Sequence, residues 1–455
     1  MYGKNIWNDA SETKKEEIFK FNEEYKDFLT HGKTERMVVR EAVPLLEKAG
    51  FKDLKTAKSV KPGDRIYAVN KGKNLLCAVI GKKSIEEGMR VLGAHIDSPR
   101  LDIKQNPLYE KGGMAFLETH YYGGIKKYQF VTIPLALHGI VYRKDGSSFE
   151  VTIGEDPADP IIGITDLLIH LSRDQMQKPA AKAIEGEDLD ISIGSIPLDK
   201  DEAGAVKKYI LKLLKDKYNM EEEDFLSSEL TAVPAGPARD YGLDRSMVAG
   251  YGQDDKVCAY TSFRAVLDEK ETPEYTSVAV LVDKEEVGSI GATGAMSKWF
   301  ENTVAELLSR EGKESGLAVR HAMENTKMLS SDVSCAVDPL YPMVNEPKNS
   351  CYFNKGIVFN KYTGAGGKSG CNDAMPEYLS FVRTAMEKDG IYYQTSEIGR
   401  VDAGGGGTIA YILGNYNMYV LDAGVPVLSM HSPMELTAKA DVYEAYLAYK
   451  AFLKA

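Results

Sequence analysis

The sequence predicts an α/β protein whose main domain is interrupted by a β-rich insertion. Short apolar segments alternate with amphipathic helical patterns at both ends of the chain. The stretch from about 101 to 195 instead has alternating apolar and polar residues, separated by Gly, Pro and Asp turns. The 455 residues, 43% hydrophobic, provide material for more than one core. We therefore expect residues 1–100 and 245–455 to form one domain, and 101–244 an inserted domain.

The first fifty residues show the spacing of helices. Apolar side chains recur every three or four residues from Ile18 to Phe28, and the pattern returns from Arg36 until Gly50 closes it. Short strands are predicted to follow, at 65–69, 74–80 and 91–94.

The inserted block and the C-terminal part follow two different patterns. Within the block, strand-like segments are predicted at 130–137, 139–142 and 149–153, before a helix at 205–217 and a strand at 228–234. From about residue 250 apolar strands again alternate with helices, ending in a helix at 441–453.

Charge and cysteine content exclude several classes of protein. A net charge of −11 repels nucleic acid and anionic membranes. The five cysteines are odd in number, scattered and without CxxC spacing, which indicates a reducing compartment. No signal-peptide apolar region is evident, and no stretch approaches the roughly 18–20 apolar residues of a membrane span. These observations predict a soluble, cytoplasmic protein with neither nucleic-acid nor membrane partners.

Charged residues collect where the predicted strands end. Glu285 and Glu286 follow the apolar run 277–282, and single candidates follow or adjoin other apolar segments: His95, Asp254, Asp332 and His431. In open α/β sheets, functional groups gather at the carboxyl ends of strands. Two histidines and three carboxylates supply the ligands that a dinuclear metal site requires. In an extended chain Asp97 faces the same way as His95 and would orient its ring.

Each residue alone also has an ordinary structural interpretation. His95 could be a hydrogen-bonded structural histidine, the glutamate pair a solvated turn, and Asp254 a helix N-cap. Asp332 could cap a turn, and His431 could lie in a plain loop. The recurrence of one setting at every position favours the metal site. A single structural zinc is a weaker alternative, because closed structural sites favour cysteine-rich ligand sets.

Several motifs together resemble the M18 family of metalloaminopeptidases, the aspartyl aminopeptidases. They occur in the family's order and cover nearly the whole chain: His95-Ile-Asp97-Ser-Pro99, Asp283-Lys-Glu-Glu-Val-Gly-Ser289, Ser331-Asp332-Val-Ser and Leu428-Ser-Met-His431-Ser. Tyr122-Gly-Gly124 and the segment around His170 also look like family segments. The resemblance implies a mixed-sheet zinc-aminopeptidase-like catalytic domain with helices on both faces, and an inserted β-rich dimerisation domain.

The resemblance also implies a role for each candidate. His95, Glu286, Asp332 and His431 would be terminal ligands of two divalent ions, with Asp254 bridging them. Zinc is the first expectation for both ions, and cobalt or manganese are alternatives. Glu285 would be the general base in hydrolysis of the N-terminal residue of a peptide with a free N-terminus. His170 would reach a neighbouring subunit's active site, and dimers would assemble into a tetrahedral dodecamer.

Departures from the family pattern bear on the substrate. Asp255 stands where aspartyl aminopeptidases typically have Asn, which is closer to M42 aminopeptidases, and Cys335 and the glycine-rich segment 401–408 also differ. An acidic N-terminal residue would require a cation in the pocket, for which Lys361 and Arg400 are candidates, although exposed cations are usually solvated. An M42-like aminopeptidase of broad specificity, a related deacylase and a non-catalytic assembly module of this fold remain alternatives.

Overall fold

The computed structural model describes residues 2–199 and 203–455. Contacts divide the chain into two compact units. The first unit extends to Asp97 and continues through Ala238–Met430 and Met434–Ala455, and the second unit comprises Ser98–Pro237 with His431–Pro433. The expected domain boundaries, at 100/101 and 244/245, lie a few residues away from these. A role of the second unit in dimerisation stays a prediction.

Eleven α-helices occur among the described residues. Capping side chains set the first turns of two of them, since Ser11 accepts a hydrogen bond from the Lys14 N–H and Thr34 from the Met37 N–H. The helices are α1 (Ile6–Asp9), α2 (Glu12–His31), α3 (Glu35–Lys48), α4 (Ala180–Ala183), α5 (Ala205–Tyr218), α6 (Gln253–Leu267), α7 (Trp299–Glu311), α8 (Gly316–Glu324), α9 (Pro376–Lys388), α10 (Ala410–Gly414) and α11 (Lys439–Leu453).

Twenty strands among the described residues form three sheets. In chain order they are β1 (Lys52–Asp53), β2 (Arg65–Asn70), β3 (Asn74–Val79), β4 (Met89–His95), β5 (Arg100–Lys111), β6 (Met114–Tyr122), β7 (Leu135–Tyr142), β8 (Ser148–Ile153), β9 (Ile191–Gly194), β10 (Ser228–Pro234), β11 (Arg239–Tyr241), β12 (Met247–Gly250), β13 (Thr276–Val282), β14 (Lys327–Ser330), β15 (Ser334–Cys335), β16 (Ile357–Asn360), β17 (Tyr393–Thr395), β18 (Tyr419–Gly424), β19 (Pro426–Leu428) and β20 (Glu435–Ala438).

A nine-stranded mixed sheet forms the centre of the first unit. Its order is β1-β2-β3-β13-β4-β14-β18-β16-β17. Strands β13, β4, β14 and β18 are parallel to one another, whereas β3 and β16 run antiparallel to their neighbours β13 and β18. The parallel strands therefore present their carboxyl ends at one edge of the sheet.

Both faces of this sheet are covered by helices. Along β4, Leu92 packs into a core that includes residues of α6 and α11, whereas its neighbour Val91 packs into a core that includes residues of α7 and α8. Successive side chains of a strand point to opposite faces, so a strand covered on both faces is apolar throughout. The predicted α/β fold with helices on both faces is confirmed.

A smaller, five-stranded sheet also belongs to the first unit, in the order β11-β12-β20-β19-β15. Strand β19, after which His431 follows, lies here and not in the central sheet. The sequence shows that a strand precedes His431 but does not show which sheet the strand joins.

The second unit contains an antiparallel six-stranded sheet in the order β8-β7-β10-β5-β6-β9. One predicted strand segment, 130–137, is wrong at residues 130–134, because the strand begins at Leu135 and continues to Tyr142. Thr132 has a φ of 58°, outside the extended region, and Pro134 lacks the N–H that a ladder needs. No helix of the described residues is long and apolar enough to cross a membrane.

Candidate metal centre

Three potential ligands meet at the carboxyl edge of the central sheet. His95 is the last residue of β4, Asp332 follows β14 by two residues, and Asp254 lies in the first turn of α6. One ligand atom from each lies within 4.8 Å of the others. His95 Nε2 lies 3.2 Å from Asp254 Oδ1. Imidazole nitrogen with carboxylate oxygens is a donor set suited to zinc and related divalent ions.

Two adjacent aspartates at the start of α6 have different partners. Asp254 and Asp255 have non-helical backbone angles and are joined by a cis peptide bond. The Asp254 N–H donates to Glu435 Oε2 over 3.1 Å, while Asp255 Oδ2 accepts the His95 N–H over 3.2 Å. Asp254 thus meets the His95 ring, and Asp255 holds the His95 backbone. The part played by Asp255 was missed in the sequence, where it stood only as a departure from the family pattern.

The glutamate pair lies on a tight turn after β13. Lys284 has a φ of 70°, and Glu285–Val287 forms one 3₁₀ turn. A carboxylate oxygen of Glu286 lies within 4.8 Å of one of Asp254. Glu285 Oε2 lies 3.9 Å from His95 Nε2. Both glutamates therefore lie beside the group formed by His95, Asp254 and Asp332, as the strand-end argument predicts.

Asp97 connects the histidine to the glutamate turn. Its Oδ1 accepts the Glu285 N–H over 3.1 Å, and its Oδ2 accepts the Glu286 N–H over 3.2 Å. His95 Nδ1 lies 3.3 Å from Asp97 Oδ1 and 3.1 Å from the Asp97 carbonyl oxygen. A carboxylate beside Nδ1 leaves Nε2 to face a metal. The sequence predicted the contact with His95 but not the two backbone hydrogen bonds.

The electrostatics of the buried group favour a bound cation. Burial lowers the pKa of His95, but the side chains of Asp254 and Asp97 outweigh it and hold that pKa well above its usual range. Burial and then the neighbouring Asp255 raise the pKa of Asp332 well above the ordinary value of a carboxyl. Carboxylates packed this closely repel one another, and a divalent ion would relieve that repulsion.

A second buried cluster lies around Asp283, two residues before Glu285. Asp283, the residue directly after β13, accepts a hydrogen bond from Thr293 Oγ1 over 2.6 Å and lies 3.8 Å from Lys73 Nζ. Lys73 Nζ also lies 2.9 Å from Glu35 Oε1. Burial and then Glu35 raise the pKa of Asp283 to about 6. Sequence reasoning missed this cluster, because Glu35 and Lys73 have no local signal that relates them to Asp283.

His431 groups with the second unit by its contacts. It follows β19 by three residues and has a φ of 65°. Its Nδ1 lies 2.9 Å from the carbonyl oxygen of Gly124, in the segment Tyr122-Gly-Gly124. That contact leaves Nε2 as the nitrogen able to ligate.

The substrate candidates lie among other charges. The Lys361 ammonium pairs with the Asp373 carboxylate, which also binds Lys368 Nζ at 3.0 Å. Arg400 is exposed and lines a cavity of about 120 Å³ together with Tyr362, Lys368 and other residues. Lys361 therefore has an anionic partner already, whereas Arg400 faces a cavity.

His170 lies in the second unit, on an exposed 3₁₀ turn. The turn covers only Ile169–Leu171. Ile169 and Leu171 are 68% and 70% exposed, so the apolar neighbours of His170 do not form a core within this chain. His170 is therefore not a core histidine of this chain, and its reach into a neighbouring subunit's active site stays a prediction.

Comparison with known proteins agrees with the fold and the donor set. Residues 28–453 match the M18 family, described as aminopeptidase I zinc metalloprotease. The chain is 55% identical to a probable M18 family aminopeptidase 1 of Clostridium acetobutylicum, over 99% of this chain and 98% of that one. It is 41% identical to the probable M18 family aminopeptidase 1 of Thermotoga maritima, over 100% and 99% of the two chains.

Solved structures show the same relationship. An M18 family aminopeptidase from Thermotoga maritima superposes with a TM-score of 0.96 at 40% identity, covering 100% of this chain and 99% of that one. Aminopeptidase I from Clostridium acetobutylicum gives 0.92 at 51% identity, covering 99% of each chain. The fold and the donor set thus define a metalloaminopeptidase, a hydrolase that acts on the N-terminal residue of peptides. The chain belongs to the M18 family of zinc aminopeptidases.

Proposed function

We propose that this aminopeptidase uses two metal ions that share Asp254. One ion would bind His95 and Asp332, and the other Glu286 and His431. The observation that carries this proposal is the position of Asp254, whose carboxylate lies within 4.8 Å both of the ligand atoms of His95 and Asp332 and of Glu286. Two-metal sites, with ions about 3.5–4 Å apart, commonly use such a bridging carboxylate. Zinc is the first expectation, and cobalt or manganese suit the same donors.

The proposed chemistry assigns a separate role to Glu285. When bound, the ions would polarise the scissile carbonyl and lower the pKa of a water molecule. Glu285 accepts the proton of the attacking water and delivers it to the leaving amine. Its backbone N–H is fixed by Asp97, which places the side chain on the same side as His95 Nε2. In this proposal Glu285 transfers the proton and Glu286 binds a metal ion.

Metal stoichiometry tests the two-ion proposal. The metal-saturated enzyme should contain about two ions per chain. His431→Ala should lose one ion, whereas Asp254→Ala should lower occupancy of both, because only Asp254 is shared. Elemental analysis after removal of excess metal measures each variant. A wild-type content near one ion at saturating activity contradicts the proposal.

We propose peptides with a free N-terminus as substrates, with a preference for Asp or Glu as the finer hypothesis. Arg400 is its main support because it is exposed and lines a cavity. The pairing of Lys361 with Asp373 supports the alternative of broad, M42-like specificity. A panel of aminoacyl substrates assayed with zinc, cobalt and manganese separates the two. Faster cleavage of Asp and Glu substrates than of Leu substrates, lost in Arg400→Gln, supports the acidic preference.

We also propose that the protein is a cytoplasmic homo-oligomer, with dimers forming a tetrahedral dodecamer. A solved structure from S. cerevisiae, 21% identical and with a TM-score of 0.76, is described as the mApe1 dodecamer. The exposed apolar turn around His170 is a surface that a second copy could cover. All five cysteines are free thiols, which is typical of a reducing compartment. Light scattering coupled to size-exclusion chromatography measures the oligomer, and a monomeric mass contradicts it.

A further inference from the structure

The second unit contains an apolar cavity that the aminopeptidase reaction does not use. The cavity has a volume of about 310 Å³. Its wall consists of side chains from the sheet, from α5 and from the loops beside them. The residues that line it are Leu117, Leu137, Val151, Ile153, Pro160, Ile162, Ile193, Ile210, Leu213, Leu214, Lys217, Tyr218, Met220, Phe225 and Leu230.

The cavity lies inside a curved sheet. Ile162 pairs with Leu135 of β7, and the next residue, Gly163, pairs with Ser192 of β9. Strand β9 is at one edge of the sheet and β7 is next to the other edge. Because two adjacent residues bond to both strands, the sheet must curl until its edges approach each other. The interior of a curled, barrel-like sheet is a common place for a small ligand.

The size of the cavity argues against a simple packing gap. Protein interiors are close-packed, with few voids larger than a water molecule. An apolar cavity of about 150 Å³ is known to stay dry and to bind small apolar molecules. The cavity here has twice that volume and an almost wholly apolar wall, so water would find few hydrogen-bond partners in it. An apolar ligand is the occupant that such a wall stabilises.

One charged residue lies in the wall of the cavity, and its charge favours a ligand with an anionic end group. Among the lining residues only Lys217 carries a charge. Its side chain is 54% exposed, and its Nζ lies 3.8 Å from Asp159 Oδ1, which is longer than a hydrogen bond. The ammonium can therefore donate to a further acceptor while its apolar stem lines the cavity. An anion at the end of an alkyl chain fits this arrangement.

We propose that the cavity binds a medium-chain fatty acid, with the alkyl chain among the apolar side chains and the carboxylate at Lys217. None of the residues that line the cavity is one of the proposed metal ligands. The proposal does not depend on the two-ion chemistry.

Calorimetric titration of the full-length enzyme with decanoate tests the proposal. Saturable binding with a negative heat-capacity change is expected, because apolar surface is buried. Decanol should bind more weakly than decanoate, and decylamine more weakly still, because only the carboxylate complements Lys217. No binding of decanoate, or equal binding of all three, overturns the proposal. A lysophospholipid with the same chain should bind less well, and its binding in place of decanoate also overturns it.

Two variants locate the site. Lys217→Gln should weaken decanoate by about fivefold and leave decanol unchanged, as expected for a partly exposed charge pair. Lys215→Gln is the matched control, because Lys215 is on the same helix but pairs with Glu221 and does not line the cavity. Leu214→Trp should raise the dissociation constant by about tenfold or more, since the ring occupies the cavity. If Leu214→Trp leaves affinity unchanged while peptidase activity shows a folded protein, the ligand binds elsewhere.

Discussion

The carboxylate of Asp97 accepts the backbone N–H of Glu285 over 3.1 Å, although 188 residues separate the two along the chain. The register of β13 on β4 creates this contact, because Val282 stands opposite His95 at the ends of the two strands. The orientation of the histidine and of the proposed base therefore depends on one buried side chain.

Replacing Asp97 with Asn should impair activity without unfolding the protein. The amide keeps the size of the carboxylate, but one of its two ends no longer accepts a backbone N–H. We expect kcat/KM to fall about 10- to 100-fold, with weaker metal binding, as is usual for partners of a ligating histidine. Steady-state kinetics and metal titration measure both effects. Asp145→Asn, in an exposed turn, is the control, and an equal loss in that variant would refute the specific role of Asp97.

Replacing Glu285 with Gln should abolish proton transfer and keep the metals. Glutamine has the same shape but cannot accept a proton from water at neutral pH. We expect kcat to fall about 100-fold or more, with little change in KM or in metal content. Glu286→Gln provides the contrast, because it should lower metal content as well. Full turnover by metal-loaded Glu285→Gln would show that another group is the base.

Replacing Lys73 with Met should destabilise the first unit. The change leaves Glu35 and Asp283 as buried carboxylates without the cation between them. Breaking a buried ion pair in this way typically costs about 3–5 kcal/mol in the free energy of unfolding. Chemical denaturation of the metal-free protein measures the change. Lys71→Met, two residues away and exposed, should change stability by less than about 0.5 kcal/mol. Equal effects of the two changes would argue against the cluster.

We expect the ionisation of Asp422 to lower the free energy of unfolding as the pH rises from 4 to 7. It is buried, and burial raises its pKa to about 6 although Thr408 donates a hydrogen bond to it. In the unfolded chain an aspartate has a pKa of about 3.9. The folded state therefore holds a proton that the unfolded state releases between these values. Its contribution is fully present below pH 4 and is lost as the pH rises through 6.

The size of this effect is at most about 3 kcal/mol, from two pKa units at about 1.4 kcal/mol each. Asp422→Asn is neutral at every pH and lacks the dependence. The melting temperature of the wild type minus that of the variant should therefore be highest near pH 4 and fall towards pH 7. A constant difference across this range would mean that Asp422 titrates normally.

Much of the fold could be predicted from local patterns. Strand β10 covers 228–234, as the apolar segment predicts, because a buried strand produces a short apolar run that is bounded by turn residues. The resemblance to M18 enzymes then indicated that the side chains that follow several strands belong to one metal site. The prediction of a strand at 130–134 was wrong because the alternation of side chains does not indicate the positive φ of Thr132.

The sequence alone determined which side chains could do the chemistry, since residue type and position after a strand are local properties. Only the tertiary structure decided how they are held: Asp97 beneath the glutamate turn, Asp255 on the backbone of His95, and Lys73 between Glu35 and Asp283. It also decided that Lys361 pairs with Asp373 and that His170 is exposed. These contacts depend on strand register and on packing between distant segments, and no pattern of neighbouring residues encodes them.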